Sequence, residues 1–526
     1  MLRKKHPTIF NPITIFLIVF TAIFGAVIGM QLITTLGISA NTSIIGAIFA
    51  MMIARIPIQH FIRFKSVHRQ NMIQTSISAA TFGAASSLLL PIGIPFVMGM
   101  PELILPLFIG VTLAMFVDAI LLYKFFDSKI FPAEEAWPPG IATAEAIKAG
   151  DEGGKRAKVL GAGIVIGILG SIAKIPMSAF GVAFIGNIWA LTMFGIGLLL
   201  RGYSVPLFGS DINDYYIPHG FMIGAGIVAL AQVCMLIFQK QEQKGNGESV
   251  NRYSRNEKDI AQGFRNGTLA YLIIAVLMAL ISGIYQDMSI LMLIGFILFA
   301  TLAAFAHELI VGIAAMHAGW FPAFAVALIT LIIGILIGFP KEALAILVGY
   351  SASTGVAFAD MGYDLKTGYI LRGNGTDPTF EKEGRKQQLY AAVLAFLVTV
   401  TVVFVSFQSY FEKDLIPPVN FVYAATIESG VSPQIATQLM IWAIPGALLQ
   451  MIGGPKRQMG VLFATGLLLI NPIAGWAVLA GIFIRFMMYK INRNQDHQLM
   501  TVMAAGFIAG DALYSFFSSI FKMGKQ

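Results

Sequence analysis

The stretch Ile13–Ile33 reads ITIFLIVFTAIFGAVIGMQLI and contains no charged residue. A helix needs about 20 apolar residues to cross the hydrocarbon core of a bilayer, and this stretch has that length. Similar stretches recur along the 526-residue chain, in which hydrophobic residues make up 57% and charged residues only 12%. A soluble enzyme or a disordered scaffold of this size needs a larger polar fraction. The sequence therefore predicts an all-α polytopic membrane protein that is embedded in the lipid bilayer.

The apolar runs predict about 16 transmembrane helices, with short re-entrant or broken helices among them. Polar residues interrupt the piece Tyr203–Tyr216, which either crosses the membrane or is re-entrant, and Asn471-Pro472 breaks the stretch Met459–Met488. The other predicted spans are Ile13–Ile33, Ser43–Phe61, Met72–Leu90, Leu103–Leu122, Val159–Ala173, Phe180–Leu200, Ile217–Phe238, Leu269–Ile284, Met288–Ala306, Phe321–Phe339, Ala343–Ala359, Leu389–Phe407, Ile435–Ile452, Met459–Ile470, Ile473–Met488 and Met500–Ile520.

A hydrophilic stretch from Gln239 to Asn266 is the one composition shift long enough to separate two parts of the chain. We therefore predict a first transmembrane half at 1–239, a cytoplasmic linker at 240–266 and a second transmembrane half at 267–526. The two halves resemble each other in short segments that follow in the same order: Phe194–Leu200 with Phe463–Leu469, and Gly220–Gly224 with Gly506–Gly510. Internal repeats with a site at their interface are typical of secondary transporters.

Basic residues lie mostly in alternate loops, which accounts for the net charge of +8 without nucleic acid as a partner. The opposite loops, Pro91–Pro101 and Gln408–Pro433, hold only Lys413 between them. The positive-inside rule then predicts a cytoplasmic N-terminus in the cytoplasmic membrane, with the first span retained rather than cleaved as a signal. The basic loop residues are Arg63, Lys65, Arg69, Lys124, Lys129, Lys148, Lys155, Arg156, Lys158, Lys366, Arg372, Lys382, Arg385 and Lys386, together with those of the linker.

Several kinds of chemistry lack their motifs in this sequence. There is no Walker A motif for ATP-driven pumping, and no CxxC, HExxH or clustered histidine set for a metal. The single cysteine, Cys234, lies in an apolar run, so no disulfide can form within the chain. We therefore predict that the protein is not an enzyme and has no cofactor or metal.

Two polar segments stand out against the apolar background. Ala144-Glu145-Ala-Ile-Lys148-Ala149-Gly150 follows a Pro-Gly turn, and Asp364-Leu-Lys366-Thr367-Gly368-Tyr369 follows an apolar run. Together they resemble the two signature segments of the oligopeptide transporter family, in its bacterial branch, which is related to the yellow-stripe-like carriers of metal chelates. Asn71–Thr75 resembles the third-span region of that family, and Ala504–Asp511 resembles its last span.

The resemblance implies a bundle of 16 spans that imports small peptides or peptide-like solutes, with the proton as coupling ion. The alternative substrate is a metal chelate, such as a siderophore or a metal–amino-acid complex. Outside secondary transport, a non-coupled channel or a membrane-embedded enzyme remains as an alternative, although no repeated filter sequence and no paired acid–base constellation is present. Assembly into a homo-oligomer is left open.

Ionisable residues inside apolar runs are candidates for coupling, because each costs a few kcal/mol in the bilayer unless it is paired or hydrated. His307-Glu308 interrupts a long apolar stretch, and we expect Glu308 either to carry the proton or to mark a break between two half-helices. Asp511, in the last span, is the second candidate, and Asp360 lies near a span end.

The remaining candidates belong to three polar or small-residue segments. Glu145, Lys148, Asp364 and Lys366 lie in the two signature segments, which either line the permeation path or form solvated helices. The residues Asp211, Asp214, Tyr215 and His219 form either a surface loop or a lining that contacts a substrate. The small-residue run from Ser78 to Ser87 either packs helices closely or exposes backbone to a ligand.

Overall fold

The computed structural model describes residues 5–36, 43–55, 65–238, 253–319, 323–430, 433–491 and 497–523. Within those ranges the chain is α-helical apart from turns, short 3-10 or π-helical segments and one isolated bridge between Phe126 and Phe131. The prediction of an all-α protein is confirmed. The division at 239 and 266 stays a prediction, and the Gly245–Gly247 part of the linker lies outside the described residues.

Up to residue 238, eleven α-helices follow one another. They are α1 (Pro12–Leu36), α2 (Ser43–Arg55), α3 (Val67–Phe82), α4 (Leu90–Val97), α5 (Ile104–Phe125), α6 (Pro138–Glu152), α7 (Gly154–Ile172), α8 (Met177–Ile185), α9 (Ile188–Gly202), α10 (Ser204–Phe208) and α11 (Ile217–Phe238). A π-helical segment, Gly83–Leu89, joins α3 to α4 without a break.

The later part of the chain continues in the same way. Its helices are α12 (Glu257–Ile281), α13 (Ile290–Ala318), α14 (Ala323–Ile337), α15 (Lys341–Ser353), α16 (Val356–Leu371), α17 (Pro378–Phe411), α18 (Val419–Ser429), α19 (Pro433–Arg457), α20 (Met459–Leu468), α21 (Pro472–Ile491) and α22 (His497–Met523).

Nine helical segments among the described residues are long and apolar enough to cross a membrane, and five shorter apolar helices accompany them. The prediction of a polytopic membrane protein is thereby confirmed, whereas the total of about 16 crossings stays a prediction. The nine segments are Pro12–Thr34, Val67–Val97, Pro101–Phe125, Glu257–Ile281, Ile290–Ala318, Lys341–Leu371, Pro378–Phe411, Gln434–Arg457 and Pro472–Lys490.

Two of these segments form the centre of the bundle, and each is interrupted near its middle. Val67–Val97 and Lys341–Leu371 both have 31 residues, and both are buried throughout their most apolar windows. The first passes through the π-helical segment, and the second is broken between α15 and α16 at Thr354-Gly355. Gly355 has a φ of +84°, and a Cβ there would lie 3.2 Å from the Glu308 Cα, so glycine is required at the break.

One span expected from the sequence is wrong, and so is one of the two alternatives left open for each of two other segments. Phe180–Leu200 is not one span, because Gly186-Asn187 separates α8 from α9 and the Asn187 side chain caps α9. Tyr203–Tyr216 contains only the five-residue α10 followed by turns, so it is too short to cross. His307-Glu308 does not break a helix, because α13 continues through both residues.

Close glycine contacts hold several of the helix pairs together. Where α7 meets α22, a Cβ on Gly506 would lie 2.7 Å from the Gly163 Cα, so only glycine allows this backbone approach. The segments with similar sequence around Gly197 and Gly466 pack directly against each other, on α9 and α20. Whether these helices derive from a duplication stays a prediction.

The basic loops that the charge pattern grouped together meet at one face of the bundle. His6 packs against His68 and Phe380, which brings the N-terminus beside the starts of α3 and α17. Arg385 donates to Ser254 Oγ and to Asp127 Oδ2, at 2.8 and 3.0 Å, so the end of the linker joins the same face. That this face is cytoplasmic stays a prediction.

Candidate functional site

A cavity of about 590 Å³ lies beside the interruptions of the two central segments. Ser86 from the π-helical segment and Val356, the first residue of α16, both line it. Most of the wall is apolar or aromatic. The other lining residues are Ile33, Phe82, Leu90, Pro139, Pro176, Ser178, Val182, Gly319, Ala323, Phe324, Ala352, Tyr363, Pro418, Val419, Val422, Tyr423, Leu469, Ile508, Asp511, Ala512 and Ser515.

Four helices begin at the wall of this cavity. Pro139, Ser178, Val356 and Val419 are each the first or second residue of a helix, α6, α8, α16 and α18 respectively. The N-terminus of a helix carries a partial positive charge and unpaired N–H groups. Pro139 has no N–H and the Ser178 N–H is bonded to Asp511, so the starts of α16 and α18 are the ones that can attract and hydrogen-bond an anionic group of a ligand without a basic side chain.

Asp511 is the one carboxyl group on the cavity wall among the described residues, and it is held in place by hydrogen bonds. Its Oδ1 accepts a 2.5 Å bond from the Ser171 hydroxyl, and its Oδ2 accepts a 2.9 Å bond from the Ser178 backbone N–H. Ser178 lies in the first turn of α8, where the helix dipole favours a negative charge. The carboxyl group is thus oriented while part of it faces the cavity.

A pair of carboxyl groups lies at the break between α15 and α16. Asp118 accepts a 2.6 Å bond from the Tyr271 hydroxyl and a 2.7 Å bond from the Gly355 N–H, so it caps the broken helix. Glu308 lies next to Asp118 and is fully buried. Neither carboxyl oxygen of Glu308 has a hydrogen-bond partner among the described residues, although the Tyr271 hydroxyl is a near neighbour.

His307 also lies at this break. Its Nδ1 is 3.2 Å from the Thr354 hydroxyl, and its Nε2 is 2.8 Å from the carbonyl oxygen of Ala323, where α14 begins. The histidine therefore joins α13 to the break and to α14. Neither ring nitrogen forms a hydrogen bond with Glu308, so His307 does not tune that carboxyl group by direct contact. Both ring nitrogens are instead engaged in contacts between helices.

A second pair of carboxyl groups lies further along α16. Asp360 accepts a 2.5 Å bond from Ser78, and Asp364 accepts a 2.6 Å bond from Gln74, both on α3. Among the described residues, no lysine or arginine lies within ion-pair distance of Asp118, Glu308, Asp360 or Asp364. The helical rise places Asp364 about 13 Å from Gly355, so the two pairs lie at successive depths of the bundle.

The second signature segment of the sequence packs against the loop and the helix start that lead into the first one. Lys366 is buried and donates a 2.7 Å hydrogen bond to the Ala133 carbonyl, in the loop before α6. Thr367 donates to the Gly140 carbonyl at 3.1 Å. Most of α6 is buried between Pro138 and Ala149, so the expectation of a solvated helix is wrong for this segment.

The sequence model of a family described as "OPT oligopeptide transporter protein" matches residues 11–237 and 177–522. The chain belongs to the oligopeptide transporter family. A search of curated proteins found no match. Family membership makes the protein an integral membrane transporter of oligopeptides or related solutes. The cavity is therefore the candidate substrate site.

In the transporter, Glu145 and Lys148 of the first signature segment lie outside the cavity wall. Glu145 is buried and forms ion pairs with Arg156 and, at 3.7 Å, with Lys148. These contacts tie α6 to the start of α7. Glu145 and Lys148 therefore fix the position of α6 rather than line the cavity in this conformation.

The polar cluster around Asp211 does not line the cavity of the transporter. Burial opposes the charge of Asp211, but the hydrogen bond and the charge of Arg201 outweigh it and lower the pKa of that carboxyl. Asp214 and Tyr215 are exposed in the same turn. His219 is buried and packs against the ring of Tyr216. The surface-loop interpretation fits this cluster.

Hydroxyl-bearing residues in or beside apolar runs complete the site, and none of them is marked as functional by the sequence alone. Tyr271 bridges α12 to Asp118, Tyr363 lines the cavity, and Ser171 and Ser178 hold Asp511. A polar side chain inside an apolar run is the available signal, but many such side chains only bond their own helix backbone, as Thr399 does.

Proposed function

We propose that the protein is a proton-coupled symporter that imports small peptides or peptide-like solutes across the cytoplasmic membrane. The observation that carries this proposal is the position of buried carboxyl groups without nearby basic side chains beside a ligand-sized cavity. The carboxyl groups supply the proton sites, and the cavity supplies the solute site. Both adjoin the same helix break, so occupation of one site can influence the other.

The cavity suits a small solute with apolar side chains. Its volume of about 590 Å³ lies within the range of roughly 300–1,000 Å³ that is typical of small-molecule pockets. Aliphatic and aromatic residues form most of the wall and can bury the side chains of a peptide. The helix N-termini at the wall can bind the carboxylate end, in the way that half-helices of other transporters do.

Glu308 is the proton carrier in this proposal, with Asp118 as its neighbour. Two adjacent buried carboxyl groups cannot both be ionised at low cost, because each charge disfavours the other. Asp118 accepts two hydrogen bonds that suit a carboxylate, whereas Glu308 accepts none among the described residues. Glu308 is therefore the group that holds a proton while the site is closed and releases it when water reaches it.

The break at Thr354-Gly355 supplies the element that can move. A discontinuous helix can bend at its break while its two halves, α15 and α16, stay rigid. Asp118 is bonded to the Gly355 N–H, and Val356 is on the cavity wall. Rotation of α16 would therefore change the surroundings of the carboxyl pair and of the bound solute together.

Reconstituted protein tests the proposal directly. Proteoliposomes loaded with unlabelled solute should exchange it for labelled hydrophobic dipeptides, and an imposed pH gradient should drive net accumulation. Labelled ferric chelates form the second arm, since a chelate importer is the alternative within transport. Accumulation of the chelate and not of any dipeptide would overturn the proposed substrate class. If the internal solute concentration never exceeds the external one while a pH gradient is present, proton coupling is overturned and the protein is a channel or an exchanger.

A further inference from the structure

We infer that the cavity selects solutes that carry a protonated amine on an apolar body, and that Asp511 is the residue that binds the amine. This inference rests on the proposed function, because it names the class of solute that the proposed importer takes. It separates cationic and zwitterionic solutes from anionic ones, which the proposed function alone does not do.

The first support is that the Asp511 carboxylate is oriented by neutral hydrogen-bond donors and has no basic side chain beside it on the described cavity wall. One oxygen accepts from the Ser171 hydroxyl and the other accepts from the Ser178 N–H, so both bonds come from neutral donors. Neutral donors orient the carboxylate without cancelling its charge. No lysine, arginine or histidine is among the described residues on the cavity wall. The negative charge of Asp511 is thus left for a ligand to neutralise.

The second support is a buried hydroxyl without a partner. Tyr363 is on the cavity wall, its side chain is 1% exposed, and its hydroxyl has no hydrogen-bond partner among the described residues. A buried hydroxyl without a partner costs free energy, and since Tyr363 itself lines the cavity, a small movement of its side chain would let an amine in the cavity complete the bond. An ammonium group donates three hydrogen bonds and can be shared between a carboxylate and a hydroxyl.

The aromatic part of the wall points the same way. Phe82, Phe324, Tyr363 and Tyr423 all line the cavity. The faces of aromatic rings attract cations, and a carboxylate combined with such rings is a common way to bind an organic ammonium group. An anionic chelate would find only helix N-termini as positive charge, and it would also meet the charge of Asp511. The cavity should therefore discriminate against it.

Three matched dipeptides test this inference on the unmodified protein in detergent. Radiolabelled leucyl-leucinamide carries the amine alone, leucyl-leucine carries both charges, and N-acetyl-leucyl-leucine carries only the carboxylate. The first two should compete for the labelled amide at least tenfold better than the third, a difference of about 1.4 kcal/mol. A ferric hydroxamate chelate serves as a fourth competitor and should not displace the label.

Variants then assign the selectivity to the residue. Asp511→Asn should lose at least tenfold in affinity for leucyl-leucinamide, and Tyr363→Phe should lose less. Asp214→Asn removes the same charge from an exposed turn and should bind like the parent. A thermal unfolding curve of each variant accompanies the binding data, and the competition series on the parent protein stands even if Asp511→Asn does not fold.

The outcomes separate this inference from the proposed function. Equal binding of all three dipeptides overturns amine selection and leaves peptide import standing. Parental affinity in a folded Asp511→Asn variant overturns the assignment to that residue. Binding of the ferric chelate, with no binding of any dipeptide, overturns both the inference and the proposed substrate class. Amine selection in binding without accumulation in a pH gradient supports the inference and overturns only proton coupling.

Discussion

Glu308→Gln separates a coupling role from a structural one, because the structure gives Glu308 no hydrogen bond to lose. Both of its carboxyl oxygens lack a partner among the described residues, and the helix break is capped by Asp118 instead. The glutamine is close in shape, cannot carry the proton, and brings its amide N–H groups beside the Asp118 carboxylate, which can accept from them. We expect the free energy of unfolding to change by less than about 1 kcal/mol, the size of one ordinary hydrogen bond.

Asp118→Ala gives the opposite stability result. That substitution removes two hydrogen bonds, from Tyr271 and from the Gly355 N–H, and leaves both donors buried. Each buried donor without a partner costs about 1–3 kcal/mol, so the variant should lose at least 2 kcal/mol. The contrast between two neighbouring carboxyl groups would show which of them stabilises the break.

The transport assay for Glu308→Gln uses proteoliposomes with the membrane potential clamped at zero. A pH gradient of one unit is worth about 1.4 kcal/mol per proton, which corresponds to tenfold accumulation for a one-proton symporter. The variant should exchange solute as the parent does, but its ratio of internal to external solute concentration should fall to about one. Glu102→Gln, an exposed glutamate with the same chemical change, is the control.

Two results would refute this reasoning. If the variant still accumulates solute to the parental level in the gradient, Glu308 does not couple the proton. If the variant loses exchange and thermal stability together, Glu308 has a structural role that the hydrogen-bond pattern does not reveal. Exchange and accumulation must therefore be measured on the same purified sample.

Three further predictions concern the signature segments, the helix crossings and the topology. Lys366→Ala should abolish uptake without reducing the amount of protein inserted in the membrane, since the buried lysine ties α16 to the loop before α6. The exposed Lys341→Ala should leave uptake unchanged, and parental uptake in Lys366→Ala would contradict the prediction. Gly506→Leu should cost about 1–3 kcal/mol by overpacking, seen as a lower midpoint of thermal unfolding. Cysteines at Thr376 and in Gly245–Gly247 should react with an impermeant reagent from the cytoplasmic side only, and labelling from opposite sides would contradict the shared basic face.

The signature segments show how far local sequence could lead. The residues from Ala144 to Gly150 and from Asp364 to Tyr369 pointed to the family, which the match over 11–237 and 177–522 shows. Their juxtaposition could not be read from the sequence, because contacts such as Lys366 to the Ala133 carbonyl join positions 233 residues apart. The same limit left the partners of Asp118 and Asp511 unknown.

What the sequence determined by itself is the class of the protein and its elements. The length of the apolar runs requires segments that cross the membrane. These segments must be helices, because an unpaired backbone N–H or C=O group in lipid is too costly and a helix pairs these groups internally. Only the tertiary structure decided where helices break and which carboxyl groups lack partners. Gly355 looks like any small residue in the sequence, and Glu308 looks like a helix interruption. The packing of α13 and α5 places Gly355 at a helix break and leaves Glu308 as a buried acid, because burial and hydrogen bonding depend on neighbours that are distant in the chain.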